Sequence, residues 1–401
     1  MSEDRTLPLA GVRVVDAATV IGGPGAATRL ADFGADVIKI EHPRGGDTTR
    51  AFGWKVGGVA LWWKHIGRNK RPITLKLSDP RGADLLLRLV ERSDVLVESF
   101  RPGTLERWNL GPDRLLERNP RLVVLRVSGF GQTGPYARRP GFGTLAESTS
   151  GFVHLNGDPD GPPTLPPIAL ADEVAALLGA FAVMVALYHR ERAGGGGQII
   201  DQSLFEGLFG ITGPVAMAYD RLGLVTGRHG SRLPYVAPRN AYRTSDDRWV
   251  AVSGTSQSVA ERILRAIGRA ELTTDPRFAT NQARLEHVDE LDELIGEWVG
   301  HHTLQEAMTA FELVEAAASP IYDIQQIFAD MQYRARGTIV RVADEELDDV
   351  VLPEVQPRLS ETPGRVRHAG RPLGAANREV LVGELGLTEE ELARLRRDEV
   401  V

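Results

Sequence analysis

A chain of 401 residues, 42% of them hydrophobic, has enough apolar mass for two or three packed cores. Its net charge of −7 leaves no basic footprint for nucleic acid, and the absence of cysteine excludes disulfides, thiolate metal sites and cysteine nucleophiles. The five lysines (Lys39, Lys55, Lys64, Lys70 and Lys76) all fall within the first 76 residues, so anionic groups must be bound mostly by arginine.

The N-terminal "MSEDRTLPLAG" is polar and acidic, unlike a signal or transit peptide. The most apolar run, Val174 to Tyr188, is too short to span a membrane. A cytoplasmic protein is expected. "GVRVVDA" reads as a buried strand, "GAATRLADFG" as a helix and "ADVIKIEHP" as a second strand. A helix near "DPRGADLLLRLVERS", the strand "DVLVES", the helix "GTLERWNLGPDRLLERN" and the strand "RLVVLRVSG" follow. This alternation, with strands lacking polar positions, predicts an α/β fold whose parallel sheet is covered on both faces. Gly129 to Pro167 is rich in Gly, Pro, Thr and Ser and reads as mostly loops. A long helix over 172–192 comes next, and then a turn, a strand and a helix in "GGGGQIIDQSLFEGLFG".

Composition changes around "TGRHGSRLPYVAP", Thr226 to Pro238. Beyond it "RNAYRTS" and "RWVAVSG" flank a turn with Asp246 and Asp247, a hairpin signal. Amphipathic helices to about Ala318 complete a smaller α+β unit. The tail from Gly337 holds strand-like "GTIVRVA" and a last helix in which Thr388 and Glu391 have capping-box spacing.

Several motifs are weighed and set aside. Gly22, Gly23 and Gly25 follow a strand, and Glu41 ends the next one, but the spacing is not G-x-G-x-x-G and Pro24 removes a donor. "GFGQTG" at 129–134 has the spacing but no following helix; both read as turn glycines. "GGGG" at 194–197 runs from helix to strand, the reverse of a P-loop, and reads as a C-cap and turn. The nine histidines show no metal-ligand spacing, the pair His301–His302 reads as a solvated loop, and no G-x-S-x-G elbow occurs. Asp172 remains. An aspartate ahead of an apolar helix is the ordinary N-cap. The alternative is catalytic: a carboxylate at a helix N-terminus stays ionised, lies near backbone donors and can attack an acyl group.

The stretches "LAGVRVVDAATVIGGPGAATRLADFGADVIKIEHPRGGDTTR", "NKRPITL", "LVESFRPGTLERWNL", "NPRLVVLRVSGFGQTGPYA" and "ALADEVAALLGAFAVMVAL" occur in this order. Together they resemble the class III CoA-transferases, the family of formyl-CoA and carnitine CoA-transferases, related to α-methylacyl-CoA racemase. The resemblance implies a Rossmann-like parallel-sheet large domain built from both chain ends, residues 1–224 and 326–401. A small domain over 225–325 and an interlocked dimer of ring-like chains complete the implied architecture. It makes Asp172 the nucleophile of an enzyme of EC 2.8.3 type that moves CoA from an acyl thioester to a free carboxylic acid through an aspartyl covalent intermediate.

By the same resemblance Val20, Leu75, Ser99, Phe100, Arg107 and Trp108 contact CoA. His42 stands where some relatives carry a basic residue, and Arg44, Arg138 and Arg139 are further candidates for CoA phosphate. In the racemase branch a histidine works on the α-carbon; here the matching position is Phe142, which favours transfer. "RLPYVAPRNAY" is not the mobile glycine loop of formyl-CoA transferase. The expected partners are an acyl-CoA, a carboxylic acid and a second copy of the chain, with no nucleic acid, membrane, metal or organic cofactor. The alternatives are a racemase or epimerase, and a non-catalytic CoA-binding protein in which Asp172 is only a cap.

Overall fold

The computed structural model describes residues 7–401, which divide into two compact units. The larger combines residues up to Phe152 with Leu165–Ala216 and Ala335–Val401; the smaller combines Val153–Thr164 with Met217–Arg334. The excursion of 153–164 into the second unit has no signal in the sequence.

The larger unit is built on β1 (Arg13–Asp16), α1 (Gly22–Asp32), β2 (Asp36–Glu41), β3 (Lys70–Thr74), α2 (Pro80–Val90), β4 (Val95–Glu98), β5 (Val123–Ser128), α3 (Gly143–Thr149), α4 (Leu170–Ala193) and β6 (Gln198–Ser203). The six strands form one parallel sheet in the order β3-β2-β1-β4-β5-β6. This is the order of doubly wound nucleotide-binding sheets, and it places a topological switch between β1 and β4. One sheet face is covered by α2 together with the C-terminal segment, whose Val380, Leu381, Leu392 and Val400 join the same core as Ile38, Ile73 and Leu86. The other face is covered by α1 and α4. The expected α/β class is thus what the chain adopts.

Several elements differ from the sequence reading. β3 was not expected, because Pro72 interrupts its pattern; the strand sits at the sheet edge, where a residue without an N–H is tolerated. The single helix expected over 103–119 forms as Thr104–Arg107 and Pro112–Arg118, with Asn109 at positive φ and Pro112 opening the second piece. The stretch from Gly129 to Pro167, read as loops, contains α3. The glycines of α1 are not turn residues. They lie in its first turn, where a Cβ on Gly25 would come within 2.9 Å of the Ala176 Cβ, so their smallness lets α1 and α4 pack closely.

α4 is also longer than read: its 24 residues, with a mean hydropathy of 2.0 over the best window, are long and apolar enough to cross a membrane by length and composition. Ala171, Ala175, Ala176, Val183 and Ala186 on one side of it are core residues, which is how a packed helix of this composition is used. Gly194 caps it in the left-handed conformation, as expected of the glycine run.

In the smaller unit the expected hairpin forms from Arg239–Arg243 and Trp249–Ser253, joined antiparallel by Ala318–Pro320. Its core packs Tyr242, Ile263, Phe278, Ile295 and Phe311. His301 and His302 are not free in a loop: each ring nitrogen Nδ1 meets a carbonyl of the preceding helix, and His302 stacks on Trp298. The Thr388–Glu391 capping box forms as predicted, at the last helix of the larger unit.

Candidate active site

The switch between β1 and β4 opens a crevice where the two strands end. The loop after β1 enters α1 with no side-chain cap at Ile21, leaving the first amides of α1 unpaired by any side chain. Facing it, the loop after β4 carries Ser99 and Phe100. The two loops are tied together: Thr19 N–H donates to Ser99 Oγ (2.8 Å), and that hydroxyl donates to Thr19 O (3.2 Å). Between them lies a cavity of about 290 Å³, and Asp172 opens onto it.

Asp172 is the third residue of α4, and the cap position belongs to Ala169, whose side chain bonds nothing. The plain cap reading is therefore corrected, since this carboxylate is one residue-turn too deep to serve as N-cap. It is held instead between two neighbouring helix starts. The Gly22 N–H stands beside it and favours its charged form, and a Cβ on Gly143, the first residue of α3, would lie 2.2 Å from Oδ2. Gly143 thus leaves room for a carboxylate that a side chain there would displace, whereas a Cβ on Gly22 would only touch Oδ1, at 3.4 Å. Gly129 and Gly141 cross backbone to backbone beside them, where a Cβ on either would come within about 2.5 Å of the other glycine.

Burial pushes Asp172 up to about 6, with the charges of Glu147 and Glu173 adding to the effect and the Gly22 N–H opposing it. Glu147 is buried on α3 and accepts the Ala171 N–H (3.3 Å), while Glu173 is engaged by Arg29 at 2.5 Å. Among the described residues no ion pair ties Asp172 to a lysine or arginine. A partly desolvated, unpaired carboxylate with a backbone donor beside it has the properties of a nucleophile waiting for an electrophile.

Of the residues singled out in the sequence, Val20, Ser99, Phe100 and Arg139 line this same cavity with Asp172. Phe142, 62% exposed, lines it too. Arg138 points to a neighbouring hollow shared with Glu106, Arg126 and Gly134. Trp108 packs edge-on against Phe100 (5.1 Å), bracing it, and Arg107 donates to Thr104 Oγ1 (2.9 Å) outside both hollows. His42 is exposed, its Nδ1 accepting the Arg44 N–H, and Arg44 pairs with Glu399. Leu75 is a core residue at 2% exposure, so its side chain has almost no surface to offer a ligand, contrary to the apolar contact expected of it.

The sequence reading missed Arg101, a second cation on the cavity, and the buried Glu147. It also missed what holds the β1 loop. Under the loop Lys39 and Lys70 are buried with Asp16 and Asp47: Lys70 meets Asp16 at 2.7 Å and Lys39 meets Asp47 at 3.1 Å. The loop's backbone enters this cluster, with Ala18 N–H donating to Asp16 (3.1 Å), Ala18 O accepting from Lys39 and Pro24 O accepting from Lys70 (2.8 Å).

Comparison with known proteins is consistent along the whole chain. The model of CoA-transferase family III matches residues 9–377. A succinyl-CoA–D-citramalate CoA-transferase of Chloroflexus aurantiacus is 42% identical over 98% of this chain and 98% of that protein. The β subunit of a succinyl-CoA–L-malate CoA-transferase of the same organism is 42% identical over 99% and 98%. The crystal structure of a CaiB/BaiF family protein from Brucella suis superimposes with a TM-score of 0.83 at 31% identity, covering 94% of this chain and 99% of the other. With the parallel sheet, the crevice at its switch point and these relatives in agreement, the chain belongs to CoA-transferase family III and is an enzyme of the CoA-transferase class.

Proposed function

We propose that the chain transfers CoA from an acyl-CoA, with succinyl-CoA as the donor to test first, to a small dicarboxylic acid, and that Asp172 carries the acyl and CoA groups covalently. The observation that carries this reading is the unpaired, half-desolvated Asp172 on a cavity at the switch point. One carboxylate oxygen attacks the thioester carbonyl; the carbon–sulfur bond breaks, leaving an acyl–aspartyl anhydride and CoA thiolate. The thiolate attacks the aspartyl carbonyl and expels the donor acid, leaving an aspartyl-CoA thioester. The acceptor carboxylate repeats these steps in reverse, so no proton or water is consumed. The Gly22 N–H and the N-terminal end of α4 stand where charge builds on the aspartyl oxygen when the thiolate or the acceptor carboxylate attacks the aspartyl carbonyl. Phe142 offers no proton acceptor at the cavity, which favours transfer over racemisation.

Val20, Ser99 and Phe100 are assigned to the CoA thioester end and Arg138 to its phosphates. Arg101 and Arg139 have no carboxylate partner among the described residues, and Arg139 stacks over Tyr136 at 3.7 Å. They suit the second carboxylate of a dicarboxylic substrate, the substrate class named for the two Chloroflexus relatives. A homodimer completes the proposal. Leu177, Phe181, Val185 and Tyr188 stand exposed on α4, Phe181 at 67%, and an apolar row of this kind calls for a protein surface to cover it.

Intact-mass analysis after mixing with succinyl-CoA, followed by hydroxylamine trapping, is expected to show an adduct on Asp172 that Asp172→Asn lacks; no adduct with any acyl-CoA refutes covalent transfer. Because only the ionised carboxylate attacks, the rate of adduct formation should fall about tenfold per pH unit below 6 and level off above it. The raised value also costs stability. Below 3.8 both folded and unfolded chains hold the proton, and the penalty grows up to 6 and is full above it. Asp172→Asn is therefore expected to unfold at higher denaturant than the parent at pH 8, by up to about 3 kcal/mol, and at parental denaturant near pH 3.5.

Arg139→Gln should raise KM for a dicarboxylic acceptor by about tenfold or more and leave KM for a monocarboxylic one within about threefold; equal effects on both would assign Arg139 to CoA instead. Sedimentation equilibrium should give twice the chain mass, and Phe181→Glu should shift it toward one; a monomeric parent rules out the dimer.

A further inference from the structure

Val20 has φ 71°, a left-handed conformation that a β-branched residue rarely adopts, because its Cβ crowds the following carbonyl. Such a residue stays there only when its surroundings hold it. Here the holding group is identifiable: the Val20 N–H donates to Asp47 Oδ1 at 3.3 Å. Asp47 is itself fixed. It is 2% exposed, lies 3.1 Å from Lys39, and accepts from the Thr49 N–H (2.9 Å) and Thr49 Oγ1 (2.8 Å). It does not line the cavity of Asp172. Two residues after Val20 comes Gly22, whose backbone lies against the Asp172 carboxylate, a Cβ on it falling 3.4 Å from Oδ1, with its N–H favouring the charged form. Upstream, Thr19 is clamped to Ser99, so the path from Thr19 to Gly22 is set by the dihedrals of Val20 and Ile21.

We propose that Asp47 is a positioning residue: by holding Val20 left-handed it aims the Gly22 N–H at Asp172, and so sets the rate at which Asp172 is acylated. The inference rests on Asp172 being the nucleophile. The competing account is that Asp47 only caps the short turn at Thr48–Ala51 and balances the charge of Lys39. The two accounts differ in what Val20 should do. If Asp47 acts through Val20, a residue that adopts positive φ without strain should partly replace it; if Asp47 is only cap and counter-charge, changing Val20 repairs nothing.

The test follows formation of the Asp172 adduct from succinyl-CoA in parent, Asp47→Ala, Val20→Gly and the double variant. Because the carboxylate would lose the backbone that orients it toward the thioester, Asp47→Ala is expected to acylate about tenfold or more slowly, with half-saturation by succinyl-CoA changed less than about threefold. The acid limb of its rate should also move to higher pH, because a lost N–H donor favours the protonated carboxyl. The other charges facing Asp172 are untouched by the change: Glu147 on α3, Glu173 on α4, and Arg101 and Arg139 across the cavity. The double variant should regain most of the lost rate. Should Asp47→Ala not fold, Asp47→Ser keeps a hydroxyl to cap the turn but lacks the reach to Val20, and the same loss and rescue are expected of it. A parental acylation rate in the folded Asp47 variant, or no recovery on adding Val20→Gly, overturns the proposal. A parent that forms no adduct refutes the nucleophile itself, and this inference falls with it.

Discussion

Asp16, Lys39 and Lys70 lie on three neighbouring strands, β1, β2 and β3, and with Asp47 they form a cluster almost without solvent contact. Taking four charges out of water is expensive, and each is tolerable only because the others are in place; removing one partner of such a pair costs about 3–5 kcal/mol. Burial works against the charge on Lys39, but Asp16, Asp47 and Glu41 outweigh it and hold this lysine above its ordinary range; burial brings Lys70 down to about 8 against the pull of Asp16. The arrangement gives little beyond what an apolar core supplies in stability. What it adds is direction: its spare hydrogen bonds go to Ala18 O, Ala18 N–H, Val20 N–H and Pro24 O, the backbone of the loop that reaches Asp172. A greasy core has no means of fixing a carbonyl at one orientation.

Strand and helix identities along the first third were legible because buried parallel strands are uninterrupted Val/Ile/Leu runs and their connecting helices repeat at 3.6 residues. β3 was not, since an edge strand with Pro72 carries no such run. α3 and the pieces of 103–119 are too short for periodicity to register. Asp172 was legible only as a choice between cap and nucleophile. Helix boundaries are the least legible feature of a sequence, and three residues separate Ala169, which holds the cap position, from Asp172, which does not. The glycines of "GGPG" were read as turn formers because close approach between segments about 150 residues apart, as of Gly25 to Ala176, leaves no local trace. Nothing in the sequence could have joined Asp47 to Val20, because their contact is a property of one backbone dihedral.

The site accepts a stability penalty for function. A carboxylate squeezed between α1, α3 and α4, with Glu147 and Glu173 nearby and no counter-ion, is less comfortable folded than unfolded at neutral pH. Pairing it with arginine would remove the penalty and, with it, the reactivity. Arg101 and Arg139 on the cavity pair with no carboxylate among the described residues, and Glu173 is engaged by Arg29.

The lysine inventory acquires a meaning from this chemistry. The acyl anhydride of the proposed transfer is a reagent for any free amine within reach, so an enzyme that made one turn after turn would risk modifying itself. Lys39, Lys64 and Lys70 are each buried to about 1% and locked in ion pairs, and no lysine lines the cavity among the described residues. Every cation there is an arginine, whose guanidinium keeps its proton and offers no lone pair to an electrophile. Under the proposed transfer, the cations that would meet a substrate carboxylate are ones that the anhydride could not consume.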